Sequence, residues 1–544
     1  LGIALLIWPG VTLKIAAVAL GAYFVISGVI RIVTAIVELG LPGGWRVLDI
    51  LVGLLLTVGG VVMLKNATLS GAMLAVLVTM LTLTIRAFGS NSLEGASQIT
   101  LLIVSAFCVL VGMAYLNVPW SSFEKAITKN VSSVSSALII LLLIGALGGT
   151  WMVSGVVPTL IYYGMHIISP DAFLVSSCVI CALVSVMTGS SWTTIATIGI
   201  ALMGIGKAQG FAEGWVAGAI ISGAYFGDKI SPLSDTTTMS SGALGVPLFS
   251  HIRYMLITTV PSIVLTLIII TVAGFFCQGS QSTDVAAFTG ALQQRFCITP
   301  WLLLVPFFTG VLIARRVPPV ITLFLSTLMA VGFAIVFQAD ALHEIDPSLF
   351  RAAMKSAYGS TSLATSSPML TDLVATRGMS GMMGTIWLII CAMCFGGCMS
   401  AGGMVSAISR LFIHMVKGRT SLVGATAATG VMLNVAIADQ YLCILLTGNM
   451  FRDVYDREGY ERRLLSRTTE DAVTVTSVLV PWNTCGMTQS TVLGVSAFTY
   501  LPYCFFNIIS PLMSVAVAAL GYKIFRKKTA EAEVTAVKAA AVPA

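Results

Sequence analysis

Gly227–Thr237 reads GDKISPLSDTT: two aspartates, a lysine, a proline and four hydroxyls directly after the apolar stretch Ala217–Phe226. The surrounding chain has 544 residues, 57% of them hydrophobic and 9% charged, with a mean hydropathy of +0.97. Soluble domains carry roughly 25% charged residues. Apolar runs such as Ile15–Ile30, Ala137–Val153, Met255–Ala273 and Ile298–Ile313 approach the length that a bilayer core demands. The fold class is therefore an all-α polytopic membrane protein, and the alternating pattern of a membrane barrel is absent. In lipid every backbone amide must be satisfied, so a Gly- and Pro-interrupted polar run survives only where it lines protein or a water-filled cavity. Carboxylates at membrane depth are costly and face functional cavities. The quoted run is thus read as a broken helix, two half-helices meeting near the bilayer middle.

The formal charge of +7 does not point to nucleic acid, because the basic residues cluster in short loops: Arg315–Arg316, Arg410–Arg419, Arg452–Arg467 and Lys523–Lys528. Such clusters mark cytoplasmic loops. The cysteines fit packing roles, since no histidine or extra carboxylate completes a zinc pattern. Cys277 and Cys297 flank an expected external loop and are candidates for a disulfide. The chain begins at Leu1 with no methionine and no signal peptide, as expected of a processed or truncated product.

An internal repeat organises the chain from about Asn91. Pro232–Val246, PLSDTTTMSSGALGV, lies over Pro481–Val495, PWNTCGMTQSTVLGV, at an offset of 249, with five of fifteen positions identical. The same offset places GSSWTT (Gly189–Thr194) over ADQYLC (Ala438–Cys443), and an offset of 248 places Gly148–Gly155 over Gly396–Gly403. Corresponding loops carry opposite charge bias: Arg452–Arg467 is basic where Lys207–Gly218 has one lysine, and His251 and Arg253 face Tyr500 and Pro502. Under the positive-inside rule the two copies are expected in inverted topology, an architecture of secondary transporters.

The polar residues at the breaks are hard oxygen donors suited to hard cations. Asp228 and Asp235, with the hydroxyls of Ser231, Ser234, Thr236 and Thr237, form the first candidate ligand set. Asp439, opposite Ser190, and Asn483 and Thr484, opposite Ser234 and Asp235, form the second. A Na⁺ site at Asp228, Asp235 and Asp439 is the expectation. A carboxylate also exchanges Na⁺ for H⁺, because both compete for the same oxygens. Supporting roles fall to Ser190, Ser191, Thr193 and Thr194 as cavity-lining hydroxyls and to Lys229 as an ion-pair partner. Glu470 and Asp471 follow the basic loop and are expected in interfacial ion pairs with Arg463 or Arg467.

SGAYFGDKISPLSDTT (Ser222–Thr237) resembles the signature of NhaC-type Na⁺/H⁺ antiporters. TGSSWTT (Thr188–Thr194), ADQYL (Ala438–Leu442), LSRTTED (Leu465–Asp471) and PWNTCG (Pro481–Gly486) resemble the same family in order, from about Asn91 to Tyr522. The resemblance implies sodium–proton antiport, relatives similar to malate–lactate antiporters, and a scaffold of inverted repeats with re-entrant and broken helices. Near the amino terminus, WPGVTL and GAYFVISGVIRI resemble HdeD-type small membrane proteins. The expected division is 1–70 as HdeD-like hairpins, 71–250 as the first repeat, 251–340 as connecting helices, 341–528 as the second repeat and 529–544 as a disordered tail.

The functional expectation is a non-enzymatic transporter of the cytoplasmic membrane, exchanging Na⁺ for H⁺ by alternating access. Its alternative is a sodium- or proton-coupled carrier of organic anions or amino acids on the same scaffold. Asn483 and Thr484 would then meet a substrate carboxylate. Partners are the bilayer, Na⁺ and H⁺, with a small organic anion and a homo-oligomer left open and no nucleic acid. An ion gradient supplies the energy, so no cofactor is expected, and no Walker motif occurs. An intramembrane aspartyl protease is disfavoured, because Tyr225–Phe226–Gly227 precedes Asp228 where GxGD would be required.

Overall fold

The computed structural model describes residues 95–526 except 277–284, 316, 364, 366–369, 372–373 and 415, together with residues 28, 29 and 34. The expected amino-terminal hairpins, apart from those three residues, and the expected disordered tail lie outside the described residues. Among the described residues only helices and two isolated β-bridges form. Seven helices are long and apolar enough to cross a membrane, or up to nine if two bent pairs each count as one span. Exposed apolar rows such as Ile99, Leu102, Ile103 and Leu110, or Val264, Leu265, Ile268 and Val272, suit a lipid face.

Ten helices build the centre. The first copy contributes α1 (Phe173–Thr188) and α2, which starts as Ser191–Thr194, widens into a π-helical turn over Ile195–Gly199 and ends as Ile200–Ala208. It continues with α3 (Glu213–Ile230), α4 (Asp235–Ala243) and the long α5 (Leu248–Phe276). The second copy contributes α6 (Arg419–Ile437), α7 (Gln440–Arg457) and α8 (Arg462–Thr469). From α8 the chain passes through a π-helical turn, Glu470–Thr474, to α9 (Thr484–Leu493) and α10 (Phe505–Leu520).

The repeat read from the letters recurs in the backbone. Left-handed residues fall at Gly189 and Ala438, at Gly210 and Gly459, and at Gly245 and Gly494, all 249 apart, and at Gly155 and Gly403. Helix caps recur likewise. Ser190 accepts from the Thr193 amide and Asp439 from the Leu442 amide; Ser234 accepts from Thr237 and Asn483 from Cys485. Ser231 and Val480 are both extended, which ends α3 and its counterpart. A left-handed residue followed by a short polar cap stops one helix and starts the next without leaving amides unpaired.

The two breaks of each copy cross. In the first, Ser231 Oγ donates to the Val186 carbonyl at 2.8 Å, and a Cβ on Gly189 would stand 2.6 Å from the Leu233 backbone. In the second, Trp482 Nε1 donates to the Val435 carbonyl at 2.8 Å, at the position 249 residues beyond Val186, and the Thr484 amide donates to the Ala438 carbonyl. The carbonyls that a terminating helix leaves open are thus satisfied by the partner break. Helices α1 and α3 meet so closely that a Cβ on Gly223 would fall 2.0 Å from the Cys178 carbonyl oxygen; small residues four apart, Gly223 and Gly227, permit this approach. The apolar residues form two large clusters. One joins α1–α3 to Cys485, Leu493 and Tyr500 from the second copy, and the other joins α6–α8 to Leu244 and Tyr254 from the first.

Candidate functional site

The breaks bring the candidate residues to the centre of the molecule. Asp228, in the last turn of α3, is buried, and its Oδ2 accepts from both the Ser191 amide at 3.1 Å and Ser191 Oγ at 2.7 Å. The carboxylate thus sits at the amino-terminal end of α2, where free amides and the helix dipole favour negative charge. The position 249 residues on repeats the contact with neutral groups: Ser477 Oγ donates to Gln440 Oε1 at 3.1 Å. Asp439, 1% exposed, caps α7 through Oδ1 and the Leu442 amide at 2.8 Å.

Asn483 is buried and held in place. Its amide nitrogen donates to the Asn434 carbonyl at 3.2 Å, while Asn434 Nδ2 donates to the Val473 carbonyl at 2.7 Å and to Thr476. Thr484, beside it, is also buried. Ser190 and Thr193 are joined at 3.1 Å, and Thr194 Oγ1 donates to the Ser190 carbonyl at 2.9 Å. These hydroxyls are therefore occupied with holding the break.

The interface between the copies is charged. Lys229, fully buried, donates through Nζ to Asp471 Oδ1 and to Ser510 Oγ, the latter at 2.9 Å. On the other side of Asp471, Arg467 Nε lies 3.8 Å from Oδ2, with its guanidinium over the Tyr254 ring, 4.6 Å from the centroid. Thr236 Oγ1 donates to Glu470 Oε1 at 2.9 Å, and His251 Nδ1 is 2.8 Å from Ser466 Oγ. Lys229, Arg467, Glu470 and Asp471 are all buried side by side, two positive and two negative formal charges.

A family model described as "Na+/H+ antiporter family" matches residues 223–522, which run from the carboxyl-terminal part of α3 through α10 and include every charge just named. The chain belongs to the Na⁺/H⁺ antiporter family. It is 36% identical over 428 residues to the Na⁺/H⁺ antiporter NhaC of Alkalihalophilus pseudofirmus, covering 79% of this chain and 91% of that one. It is 33% identical to NhaC of Bacillus subtilis, over 76% of this chain and 91% of that protein. It is also 35% identical to the malate-2H⁺/Na⁺-lactate antiporter of the same organism, over 78% of this chain and 90% of that protein. Residues 1–65 match the model of a short repeat of unknown function, DUF308. This antiporter-family protein is a multi-pass protein of the cytoplasmic membrane.

Several expectations are corrected by the geometry. Glu470 and Asp471 are fully buried inside the protein; of the expected ion pairs, Asp471 with Arg467 is present at 3.8 Å, while Glu470 accepts from Thr236. Arg463 pairs with Glu461 and stacks on Phe525, 3.9 Å from the ring centroid. Asp235 is exposed in the first turn of α4, whereas Ser234 and Thr236 on either side are buried. Among the described residues no three His, Cys, Asp or Glu side chains converge as metal ligands, so Asp228, Asp235 and Asp439 do not close on a single point. Cys297 is an exposed free thiol, and Cys277 lies outside the described residues. Sequence reasoning missed Asn434, Gln440 and Ser510.

Proposed function

We propose that this protein exchanges Na⁺ for H⁺ across the cytoplasmic membrane by alternating access, with the two copies inverted in the membrane as the loop charges suggest. The observation that carries the reading is the pair of crossed helix breaks, each presenting one buried carboxylate, Asp228 in the first copy and Asp439 in the second. Each carboxylate can surrender a proton or accept a cation. The hydroxyls and amides around it (Ser191, Ser234, Thr236, Asn483, Thr484) supply the remaining hard ligands. Asp235, exposed beside them, serves in this reading as the oxygen that meets the hydrated ion first. Rocking of one copy against the other would then present the site to either side. The gradient supplies the energy, so the protein is read as a transporter without catalytic chemistry or a cofactor. The division into 1–70, 71–250, 251–340 and 341–528 remains the working division.

A second reading has its own support. A cavity of about 990 Å³ reaches the carboxyl-terminal turn of α9, and its charged lining residues are Lys207 and Arg377, with no carboxylate among them. Lys207 is partly engaged by Glu213 at 2.9 Å. A basic, roomy cavity suits an organic anion, and one relative is named as a malate–lactate antiporter.

Reconstituted proteoliposomes carrying an interior pH dye separate the two. Proton movement triggered by NaCl alone supports Na⁺/H⁺ exchange. Silence with NaCl and KCl, but a response to external sodium malate with lactate inside, moves the protein to the organic-anion reading.

A further inference from the structure

The two copies repeat each other's backbone, yet their ends are not packed alike. The cavity of about 990 Å³ lies between the end of α2, where Ile200, Met203 and Lys207 line it, and the end of α9, where Val492, Leu493 and Gly494 line it. Arg377 and Ser380 on its rim are exposed, so it opens at the surface. The positions 249 residues away are Asn449, Arg452 and Asp456 on α7, and Ala243, Leu244 and Gly245 at the end of α4. There the space is bridged. Arg452 Nη2 donates to the Ala243 carbonyl and, at 3.2 Å, to Asn449 Oδ1. The turn that ends α4 spends the Ser241 and Gly242 carbonyls on the Val246 and Gly245 amides, at 2.9 and 3.1 Å. The Ala243 carbonyl goes to the guanidinium, a cation set on the negative end of a helix. Three residues earlier, Ser240 Oγ donates to the Ser466 carbonyl at 3.1 Å and ties α4 to α8 of the other copy. At the corresponding place on α9, Gln489 is fully buried and neither of its amide atoms has a hydrogen-bond partner. One mouth is thus shut by polar contacts between the copies, and its twin is open.

We propose that Arg452 is the gate residue of the shut mouth: its guanidinium bolts the carboxyl-terminal end of α4 to α7, and this bond breaks when the carrier turns to open that side. The inference rests on the alternating-access reading above, and not on which cargo is carried. By the loop charges, the bolted side is the cytoplasmic one.

The two mouths differ in chemistry as well as in shape. Ile200 and Met203, which stand where Asn449 and Arg452 stand, offer the end of α9 no hydrogen-bond donor from their side chains. The bolt also crosses between the copies, since Ala243 belongs to the first and Arg452 to the second. Close packing accompanies it: Gly448, one turn before Arg452, admits Leu244, whose side chain a Cβ at that glycine would meet at 3.6 Å. A hydrogen bond from a charged donor shifts a two-state balance by about tenfold or more, so one such contact suffices to hold one face shut between turns.

The test reads which mouth is open, with no cargo present. Ser241→Cys puts a thiol at the shut mouth and Ser490→Cys puts its counterpart at the cavity. Labelling of each by a water-soluble maleimide is followed above that of the unsubstituted chain. In each background Arg452 is kept, changed to Met, the residue at its counterpart position, or changed to Lys. Arg452→Met is expected to speed labelling of Ser241→Cys by about tenfold and to slow labelling of Ser490→Cys. Arg452→Lys, which keeps a cation on the helix end, is expected to stay within about threefold of the parent. Met203→Arg is an independent arm that leaves the shut mouth untouched: the added guanidinium is expected to reach the end of α9 and slow labelling of Ser490→Cys. If Arg452→Met yields no monodisperse protein, the Met203→Arg arm decides alone, and unchanged labelling there would overturn the proposal. Unchanged labelling in folded Arg452→Met would also overturn it, as would faster labelling at both mouths together, because the bond would then be a fixed seam. Labelling as expected, in a wild type that moves no protons with NaCl in proteoliposomes, would instead sink the Na⁺/H⁺ reading and leave the gate standing.

Discussion

Asp439→Asn separates structure from charge at the second break. Asp439 holds the first turn of α7, accepting from the Leu442 amide at 2.8 Å, and asparagine caps helices as well as aspartate. The substitution keeps the acceptor, so the cost to stability is expected within about 0.5 kcal/mol. The charge is lost. A contact between a cation and a carboxylate is worth about 1.5–3 kcal/mol as a charged interaction, which at roughly 1.4 kcal/mol per decade corresponds to about 10- to 150-fold in Na⁺ affinity. The assay is the Na⁺ concentration that gives half-maximal pH change in proteoliposomes, read beside the melting temperature in detergent. The expected pattern is an unchanged melting temperature with half-saturation raised by at least tenfold. If half-saturation stays within threefold of wild type, Asp439 is a cap alone and the two-carboxylate site is wrong. Asp439→Ala provides the control, since it additionally removes the cap and should cost about 1 kcal/mol of stability.

Two further outcomes follow from the packing. Asp228→Asn keeps a carbonyl for the two Ser191 donors but removes the charge, so transport is expected to fall at least tenfold while the melting temperature moves by only a few degrees; full transport would remove Asp228 from the site. Gly223→Val places a side chain where even a Cβ would stand 2.0 Å from the Cys178 carbonyl, a strain of about 3 kcal/mol or more. Loss of the monodisperse peak on size exclusion is expected, and a wild-type profile would show that α1 and α3 can separate freely.

The class of the molecule and the positions of its breaks were legible because both rest on local signals. Apolar length reports the bilayer, and Gly189, Pro232, Asp439 and Asn483 report helix ends. The repeat offset was legible for the same reason, and it extends to backbone angles that letters do not display, such as the left-handed pair at Gly210 and Gly459. The depth of a charge was not legible. Glu470 and Asp471 follow a basic loop, which suggests an interface. Yet α8 runs inward from Glu461, and at about 1.5 Å per residue ten residues of helix cover about 15 Å, half of a bilayer core. Asp235 erred in the opposite direction: α4 has nine residues, too few to show an amphipathic period, so nothing in its sequence says which side faces outward. The pairing of Lys229 with Asp471 spans 242 positions and depends on how the copies dock, which no local pattern encodes.

The left-handed residues at the two breaks differ in one respect. Gly189 occupies that conformation at no steric cost, and no side chain would fit there. Ala438 holds φ at 63° with a side chain attached, a state that costs an L-residue roughly 1–2 kcal/mol. The second break is therefore spring-loaded where the first is relaxed. Any motion that lets residue 438 return to ordinary helical angles recovers that energy, so the two copies are unequal as hinges. Ala438→Gly would unload it, and if residue 438 leaves the left-handed conformation in only one of the two facing states, their balance shifts by about a factor of five to thirty.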